Sequence, residues 1–259
     1  MYYFAIISYL GTHFSGFQVQ SNARTVQGEL TKAANALFGS PCLIKGCSRT
    51  DSGVHAVASC ITIETQPDAP AIPADKIPLA IAPYLPYDLA IIEAKVAPPH
   101  FHVRHDVIKK RYVYCMENTP IRFPLSAGRV WQYPYPMLPD SLERMQKAAK
   151  HFIGKQDFAA CMSAGSPVDS TIRTLYTLDV TRKGSKILFT LEADGFLYNM
   201  VRIIVGTLVD VGMGRIEPDD IKTILASGER KNAGETAPPE GLYLQSVTYH
   251  EHAFDMDLP

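Results

Sequence analysis

A short polar loop between two apolar runs constrains this chain more than any other feature. The runs, residues 42–47 and 57–63, have the length and apolar, β-branched composition that is typical of strands. Between them lies Ser48-Arg49-Thr50-Asp51-Ser52-Gly53-Val54-His55-Ala56. Gly53 allows a backbone turn that a residue with a Cβ would strain. The sequence therefore predicts two strands joined by a loop that presents an arginine, an aspartate and a histidine.

Arg49 and Asp51 are two residues apart, so both side chains could face one cleft from an extended loop. A simple turn uses an aspartate or a glycine but has no need of a guanidinium beside the carboxylate. Taken alone, these residues leave two interpretations open. One is an active loop, and the other is a structural ion pair between Arg49 and Asp51.

The first half of the chain is predicted to have the element order β-α-β-β-α-β. Thr25 can cap a helix that Gly39 ends, and a second short helix falls near residues 75–82. The strands are predicted from composition and alternation at residues 1–10, 42–47, 57–63 and 89–96.

The second half repeats this outline. A helix with a capping box at Asp140 and Glu143 is predicted to run to Gly154. Further helices are expected at 196–211 and 219–227, with strands at 110–117, 174–182, 186–192 and 242–249. The predicted fold class is α+β, with two similar halves, each an antiparallel sheet with helices packed on one face. The predicted domains are residues 1–105, which carry the Asp51 loop, and residues 106–259.

The loop at residues 49–56, Arg-Thr-Asp-Ser-Gly-Val-His-Ala, closely resembles the RTDAGVHA signature of the tRNA pseudouridine synthase A family. Four more blocks resemble that family in the right order and cover nearly the whole chain. They are residues 9–18, 101–104 with 110–114, 196–202, and 240–244. The resemblance implies a pseudouridine synthase fold.

The resemblance also implies an activity and a set of site residues. It implies an isomerase that converts uridine to pseudouridine at positions 38, 39 and 40 of the tRNA anticodon stem-loop, without a cofactor. Asp51 is the implied nucleophile, Arg202 its paired guanidinium, and Tyr112 the aromatic residue at the target base. The expected substrate-binding residues are Arg49, His102, Arg104, Tyr112 and Arg202. The implied partners are tRNA and a second copy of the chain in a homodimer, with no DNA and no membrane.

Some of these residues have simpler interpretations. A tyrosine in a strand usually belongs to a core, and Tyr114, on the same face as Tyr112, is expected to be the core member. Arg202 could be a helix-surface arginine, but it adjoins an apolar stripe and is expected to be partly buried and paired. A metal site is not expected at Cys42, Cys47, His55 and Cys60, because their spacing matches no usual zinc pattern. Zinc can bind closely spaced histidines such as His100, His102 and His105, but the resemblance implies no metal site there.

Composition bounds the function only loosely. The chain has 25 basic and 26 acidic residues, a balance that argues mildly against an RNA substrate. Basic residues nevertheless cluster at Arg104 and residues 109–111, where a local field could serve phosphate contacts. Five scattered cysteines suit a reducing compartment, no apolar run approaches a membrane span, and the N-terminus resembles a strand. A cytoplasmic location is expected.

Two other functions stay open on the sequence. One is a catalytically inactive tRNA-binding protein of the same fold, and the other is a hydrolase that uses Asp51 with His55. The family pattern is also not matched everywhere: Leu10, Ser48 and Ser52 stand where an aspartate, a glycine and an alanine are usual. These departures affect the fine geometry of the loop and leave its charged residues in place.

Overall fold

The computed structural model describes residues 1–165 and 168–254, and within them the chain forms ten β-strands and five α-helices. None of these helices is both long enough and apolar enough to cross a lipid bilayer. The predicted α+β class is confirmed. Most strand pairs are antiparallel, as expected for this class.

The chain divides into two compact units. The first comprises residues 1–108 together with the chain from Leu244 onward, and the second comprises residues 109–243. The sequence prediction divided the chain at 105/106 and assigned the whole C-terminal part to the second half. From Leu244 onward the chain groups with the first unit, in which the last strand has a sheet neighbour.

The sheet of the first unit has the order β4-β1-β3-β10. The short strand β2 pairs with residues 61–64 of β3, on the edge of β3 opposite β1. β1 is antiparallel to both β3 and β4. The strands are β1 (Tyr2–Tyr9), β2 (Leu43–Gly46), β3 (His55–Glu64), β4 (Leu89–Val96) and β10 (Leu242–Tyr249).

Helices α1 (Val26–Phe38) and α2 (Ile77–Ile81) belong to this unit. α1 begins as predicted, since the Thr25 side chain accepts a hydrogen bond from the Gly28 amide, and it ends at Gly39 with φ +65°. The ring of Phe38 stacks on Tyr3 of β1 with 5.8 Å between centroids, which places α1 against the sheet.

The sheet of the second unit has the order β5-β9-β8-β7, with β6 added to β5 as a short parallel strand. The hairpin β8–β9 was predicted, whereas β6 and β7 were not. The strands are β5 (Val107–Asn118), β6 (Trp131–Tyr133), β7 (Gly154–Asp157), β8 (Ile172–Lys183) and β9 (Lys186–Ala193). The helices are α3 (Ser141–Ala149), α4 (Met200–Gly212) and α5 (Ile221–Ser227).

One predicted capping interaction and one predicted helix start were wrong, although α3 does begin directly after Asp140, as predicted. The capping box at Asp140 does not form, because Asp140 has φ −93° and ψ 18° and its side chain accepts no capping hydrogen bond. α4 was predicted from Phe196 but begins at Met200, since Asn199 has a left-handed backbone with φ +61° that ends any helix preceding it. Residues 196–199 are therefore a turn that leads into α4.

Candidate active site

The Asp51 loop turns sharply directly after the aspartate. The Val54 amide donates to the Asp51 carbonyl oxygen at 3.2 Å, and Gly53 has φ +80°. A positive φ at the third position of a four-residue turn favours glycine, as the sequence predicted. Asp51 itself is half-buried and Arg49 is exposed, so both charged groups of the loop lie at the surface of the first unit.

The segment that follows β1 supports this loop from behind. The Phe17 amide donates to the Thr50 carbonyl oxygen at 3.0 Å, and the Gly53 amide donates to the Phe14 carbonyl oxygen at 3.3 Å. The hydroxyls of Tyr9 and Thr50 are hydrogen-bonded at 2.8 Å. The two motifs recognised in the sequence at residues 9–18 and 49–56 thus form one structural unit around Asp51.

Two glycines make this close packing possible. A Cβ on Gly11 would lie 2.0 Å from the Val54 carbonyl oxygen, and a Cβ on Gly16 would lie 2.9 Å from the Thr50 carbonyl oxygen. Gly16 also has φ +91°. Backbone can approach backbone at these points only because no side chain intervenes.

His55 is a buried part of this packing, with 1% of its surface exposed. Its Nδ1 accepts a hydrogen bond from the Gly11 amide at 2.9 Å. That nitrogen is therefore occupied by backbone, which leaves it unable to act as a base toward a substrate held by Asp51. The geometry favours a structural role for Nδ1 over the hydrolase interpretation.

His102 and Arg104 lie in the segment that follows β4. Phe101 and Val103 are buried, while Arg104 is exposed and His102 is half-buried. The Tyr249 hydroxyl anchors the segment by donating to the Val103 carbonyl oxygen at 2.7 Å. Alternation along the segment thus directs Arg104 to solvent.

The His102 ring is engaged by its own turn. Its Nδ1 accepts the amides of Arg104 and His105, each at 3.2 Å, and its own amide donates to Asp106 Oδ2 at 2.7 Å. Burial, followed by the nearby His105, lowers the pKa of His102. His102 is therefore neutral at pH 7 and offers no positive charge to a phosphate.

In the second unit, β5 presents different chemistry on its two faces. Arg111 donates from Nε to Glu192 Oε1 at 2.8 Å, and Lys109 Nζ lies 3.3 Å from Glu192 Oε2. The alternating residues Tyr112 and Tyr114 lie on the other face. Lys109 and Arg111, two members of the basic cluster in the sequence, thus both contact the buried Glu192 carboxylate and face away from Tyr112.

Tyr112 and Tyr114 are both buried, but they differ in their surroundings. Tyr114 is fully buried, and its hydroxyl donates to the Pro238 carbonyl oxygen at 2.7 Å. Burial raises the pKa of Tyr114, so its phenol stays protonated. Tyr112 packs edge-to-face on Phe196, with 5.1 Å between ring centroids. The motif at residues 196–202 thus supplies the ring that orients Tyr112.

Arg202 lies on the first turn of α4 and is half-buried, as the sequence predicted. Its Nε donates to the Ala237 carbonyl oxygen at 2.6 Å, and its Nη1 donates to Asn199 Oδ1 at 2.8 Å. Asn199 in turn donates from Nδ2 to Ser163 Oγ at 2.9 Å. Asn199 and Ala237 therefore hold the guanidinium in one orientation, and Ser163 holds Asn199 in turn.

The structure divides the expected site residues between the two units. Arg49, Asp51, His102 and Arg104 belong to the first unit, and Tyr112 and Arg202 belong to the second. Asn199 was missed as a supporting residue, although an asparagine just before an apolar helical stripe is a residue type that tolerates a left-handed backbone. Within residues 1–165 and 168–254, no group of three or more His, Cys, Asp or Glu side chains is arranged to hold a metal ion.

Comparison with known proteins identifies a family that this chain resembles over most of its length. A family model described as tRNA pseudouridine synthase matches residues 5–106 and 148–250. The tRNA pseudouridine synthase A of Thermoanaerobacter sp. strain X514 is 43% identical over 244 residues, which cover 94% of this chain and 98% of that protein. The tRNA pseudouridine synthase A of Listeria innocua is 41% identical over 250 residues, covering 95% of this chain and 98% of that protein.

Among solved structures, a Cbf5–Nop10–Gar1 complex resembles the chain with a TM-score of 0.39 at 12% identity. The match covers 94% of this chain and 49% of that one, and a likeness at this level carries no argument. The family model and the full-length relatives are sufficient without it. The chain belongs to the tRNA pseudouridine synthase family.

Proposed function

We propose that this chain isomerises uridine to pseudouridine at positions 38, 39 and 40 of the tRNA anticodon stem-loop, with Asp51 as nucleophile. Membership of the family makes it an isomerase that acts on tRNA. In the reaction the bond from C1′ to N1 breaks, the bond from C1′ to C5 forms, the C5 proton leaves and N1 gains a proton. The observation that supports this proposal is the structure of the Asp51 loop. Backbone hydrogen bonds to residues 9–17 fix the loop, and Asp51 is half-buried at its surface.

Asp51 supplies the nucleophilic carboxylate. A carboxylate can form a covalent intermediate by adding to the base at C6 or to the sugar at C1′, and both routes use the same side chain. Because the Thr50 carbonyl and the Gly53 amide on either side are hydrogen-bonded to the preceding segment, the carboxylate is presented by a rigid backbone. Such preorganisation lowers the entropic part of the barrier.

Arg202 supplies the positive charge that keeps Asp51 ionised when the substrate displaces water. An opposite charge nearby lowers a carboxyl pKa and so preserves the reactive anion. The support is the family motif together with the two hydrogen bonds that fix the Arg202 guanidinium in one direction. Arg49, which is exposed beside Asp51, is assigned to the substrate phosphates.

Tyr112 contacts the target base. An aromatic ring suits a nucleobase that has been taken out of its stack, and the phenol is a candidate to assist removal of the C5 proton. The packing of Tyr112 on Phe196 limits its motion, which supports a precise contact. His102, in its neutral form, and Arg104 face the RNA on the first unit, with Arg104 as the charged contact.

The chain acts as a cytoplasmic homodimer without a cofactor. The isomerisation requires one nucleophile and one proton acceptor and no change of oxidation state. A protomer with a net charge of −1 gains from pooling basic surface with a second copy in order to hold a whole tRNA. Sedimentation with and without tRNA tests the dimer, and activity after exhaustive dialysis against a chelator tests the cofactor-free reaction.

The decisive experiment uses tRNA transcripts that carry tritium at uridine C5. Wild type is expected to release tritium to water, and Asp51→Asn is expected to release none, because the amide has nearly the same shape but is not nucleophilic. Asp75→Asn is the matched control, since Asp75 is an exposed aspartate of the same unit. Release by both wild type and Asp51→Asn would remove Asp51 as nucleophile, and binding without release by wild type would favour an inactive tRNA-binding protein.

The target positions need a second measurement. Transcripts in which only one of positions 38, 39 and 40 carries the labelled uridine are each expected to release tritium. Transcripts labelled only outside the anticodon stem-loop are expected to release none. Release from those transcripts alone would contradict the anticodon assignment while leaving the isomerase activity in place.

A further inference from the structure

A bidentate ion pair lies behind the Asp51 loop, outside the five sequence blocks that resemble the family signature. Arg24 donates from Nη1 to Asp88 Oδ2 at 2.9 Å and from Nη2 to Asp88 Oδ1 at 2.7 Å. Asp88 is 6% exposed, and its carbonyl oxygen accepts the Leu10 amide at 3.0 Å. Two parallel hydrogen bonds fix both the distance and the orientation of such a pair. The pair therefore ties the residues before β4 to the segment that follows β1.

Arg24 reaches the same segment a second way. Its guanidinium carbon lies 4.2 Å from the centroid of the Phe14 ring, and its carbonyl oxygen accepts the Ser15 amide at 2.8 Å. Phe14 is 2% exposed. A guanidinium over an aromatic face is attractive, and Asp88 fixes the guanidinium in that place. Phe14 is thus held both by its ring and through the neighbouring backbone.

Phe14 is the point of contact with the catalytic loop. Its carbonyl oxygen accepts the Gly53 amide at 3.3 Å and the Ser52 hydroxyl at 3.3 Å. Both donors lie in the turn that immediately follows Asp51. A displacement of Phe14 would therefore move the backbone that carries the Asp51 carboxylate.

We propose that Asp88, Arg24 and Phe14 form a clamp that positions Asp51 for reaction. The proposal rests on the assignment of Asp51 as nucleophile under the proposed function. The three clamp residues act on the reaction only through the loop, so they are positioning residues. Their removal should slow the chemical step more than it weakens tRNA binding, because a small misplacement of a reacting group costs rate.

Two other roles for Arg24 make different predictions. A purely structural ion pair would lower stability but leave the turnover of the folded enzyme unchanged. A direct contact to tRNA phosphate, for which the 35% exposure of the Arg24 side chain leaves room, would raise KM and change the salt dependence of binding. The split between kcat and KM therefore separates the three roles.

The first test measures tritium release by Arg24→Ala, Asp88→Ala and the double variant. Each single variant is expected to lose about 10- to 100-fold in kcat with KM within about twofold of wild type. The double variant should be no slower than the slower single variant, because both substitutions remove the same ion pair. Arg24→Lys should recover part of kcat, since lysine keeps the charge but lacks the planar fork.

The second test does not depend on activity. Hydrogen exchange of a peptide covering residues 48–56 should be faster in Arg24→Ala, because the Gly53 amide loses a fixed acceptor on Phe14. The matched control is Arg215→Ala, which removes an arginine–aspartate contact of 2.9 Å in the second unit. It is expected to leave kcat and the exchange of residues 48–56 unchanged.

These measurements distinguish a failure of the clamp proposal from a failure of the proposed function. If Asp51→Asn stays active, the nucleophile assignment fails, while the exchange of residues 48–56 still reports whether Arg24 fixes the loop. A normal kcat with raised KM in Arg24→Ala would overturn the clamp in favour of an RNA contact. Three other outcomes would also overturn the clamp. They are a normal kcat and KM with a lower Tm, losses in kcat that add in the double variant, and unchanged hydrogen exchange of residues 48–56.

Discussion

Asn199 and Arg202 are joined across the first turn of α4 by a hydrogen bond of 2.8 Å between Asn199 Oδ1 and Arg202 Nη1. Asn199 is one of two described residues other than glycine with a positive φ, at +61°. A non-glycine residue in this region carries a conformational cost that the surrounding contacts must offset. Here the same side chain that tolerates the left-handed backbone also orients the guanidinium proposed to pair with Asp51.

Asn199→Gly should therefore separate the effect of the left-handed backbone from the effect of the Asn199 side chain. Glycine accepts the positive φ without strain, so Tm should change by no more than a few degrees. The hydrogen bond to Arg202 is lost, and tritium release from labelled tRNA should fall by about tenfold. Asn199→Ala is the comparison, because it should lose both rate and stability. An unchanged rate in Asn199→Gly would show that the Asn199 side chain is not needed to orient Arg202.

Tyr112→Phe tests the phenol without disturbing its packing. The ring can still contact Phe196, so tRNA affinity measured by filter binding should be retained. If the hydroxyl assists removal of the C5 proton, single-turnover tritium release should fall by about 100-fold, the lower end of what general acid–base groups contribute. Tyr112→Ala should lose the stacking surface as well and bind tRNA more weakly. Equal single-turnover rates for wild type and Tyr112→Phe would limit Tyr112 to stacking.

The Arg24–Asp88 pair should give the protein a defined acid sensitivity. The hydrogen bonds from Arg24 lower the pKa of Asp88 below its usual value of about 3.9. Because the folded-state pKa is the lower one, the stabilisation is complete above the unfolded pKa and is lost as the pH falls through the folded value. Urea unfolding should show Asp88→Asn less stable than wild type by about 1–3 kcal/mol at pH 7, with the difference shrinking below about pH 4.

The control for this acid sensitivity is Asp219→Asn. The pKa of Asp219 is also lowered, by Lys147 and then by His151, but its side chain is 60% exposed. Exposed ion pairs contribute little to stability, so its unfolding curves should nearly overlay those of wild type at pH 7. A gap between wild type and Asp88→Asn that does not shrink at all as the pH falls below about 4 would show that the Asp88 effect is not electrostatic.

Ser52→Ala should have little effect, although it lies next to the proposed nucleophile. It removes the Ser52 hydroxyl contact to the Phe14 carbonyl, but that oxygen keeps the Gly53 amide as a donor. The rate of tritium release should stay within about twofold of wild type, since an exposed hydroxyl contributes little. Gly53→Ala is the contrasting variant, because φ +80° is unfavourable for alanine and the turn after Asp51 must shift. Similar rates for both variants would show that the geometry of this turn does not govern the reaction.

The sequence predicted those elements whose signals are local. The bounds of β4 and β10 agree residue for residue with the prediction, because both are short runs of strand-like composition that follow turn residues. The Thr25 cap and the Gly39 terminus of α1 were also correct, since each acts within one helical turn.

Features that depend on distant partners could not be predicted in this way. Arg24 and Asp88 are 64 positions apart, and neither has a local pattern that names the other. The short strands β6 and β7 exist because longer strands offer them hydrogen-bonding edges. The failed capping box at Asp140 shows the reverse case, in which a local motif is present but the backbone takes another conformation.

For the candidate site, the resemblance supplied the residues and the structure supplied their supports. The motif named Asp51 and Arg202, but it gave no reason for Gly11 to approach Val54 or for His55 to be buried. Those positions follow from backbone packing around the loop. The roles of Arg49, His102, Arg104 and Tyr112 in binding substrate stay predictions.

The position of β10 has a consequence for the order in which the two units finish folding. On the ribosome the N-terminal strands emerge first, and domains that are continuous in sequence can fold while synthesis goes on. The second unit, residues 109–243, is continuous and can form its pairings among β5, β9, β8 and β7 before the chain is finished. The first unit must wait, because β3, which begins directly after the Asp51 loop, gains its neighbour β10 only when the last strand leaves the exit tunnel. The part of the enzyme that is made first is thus the part that is finished last.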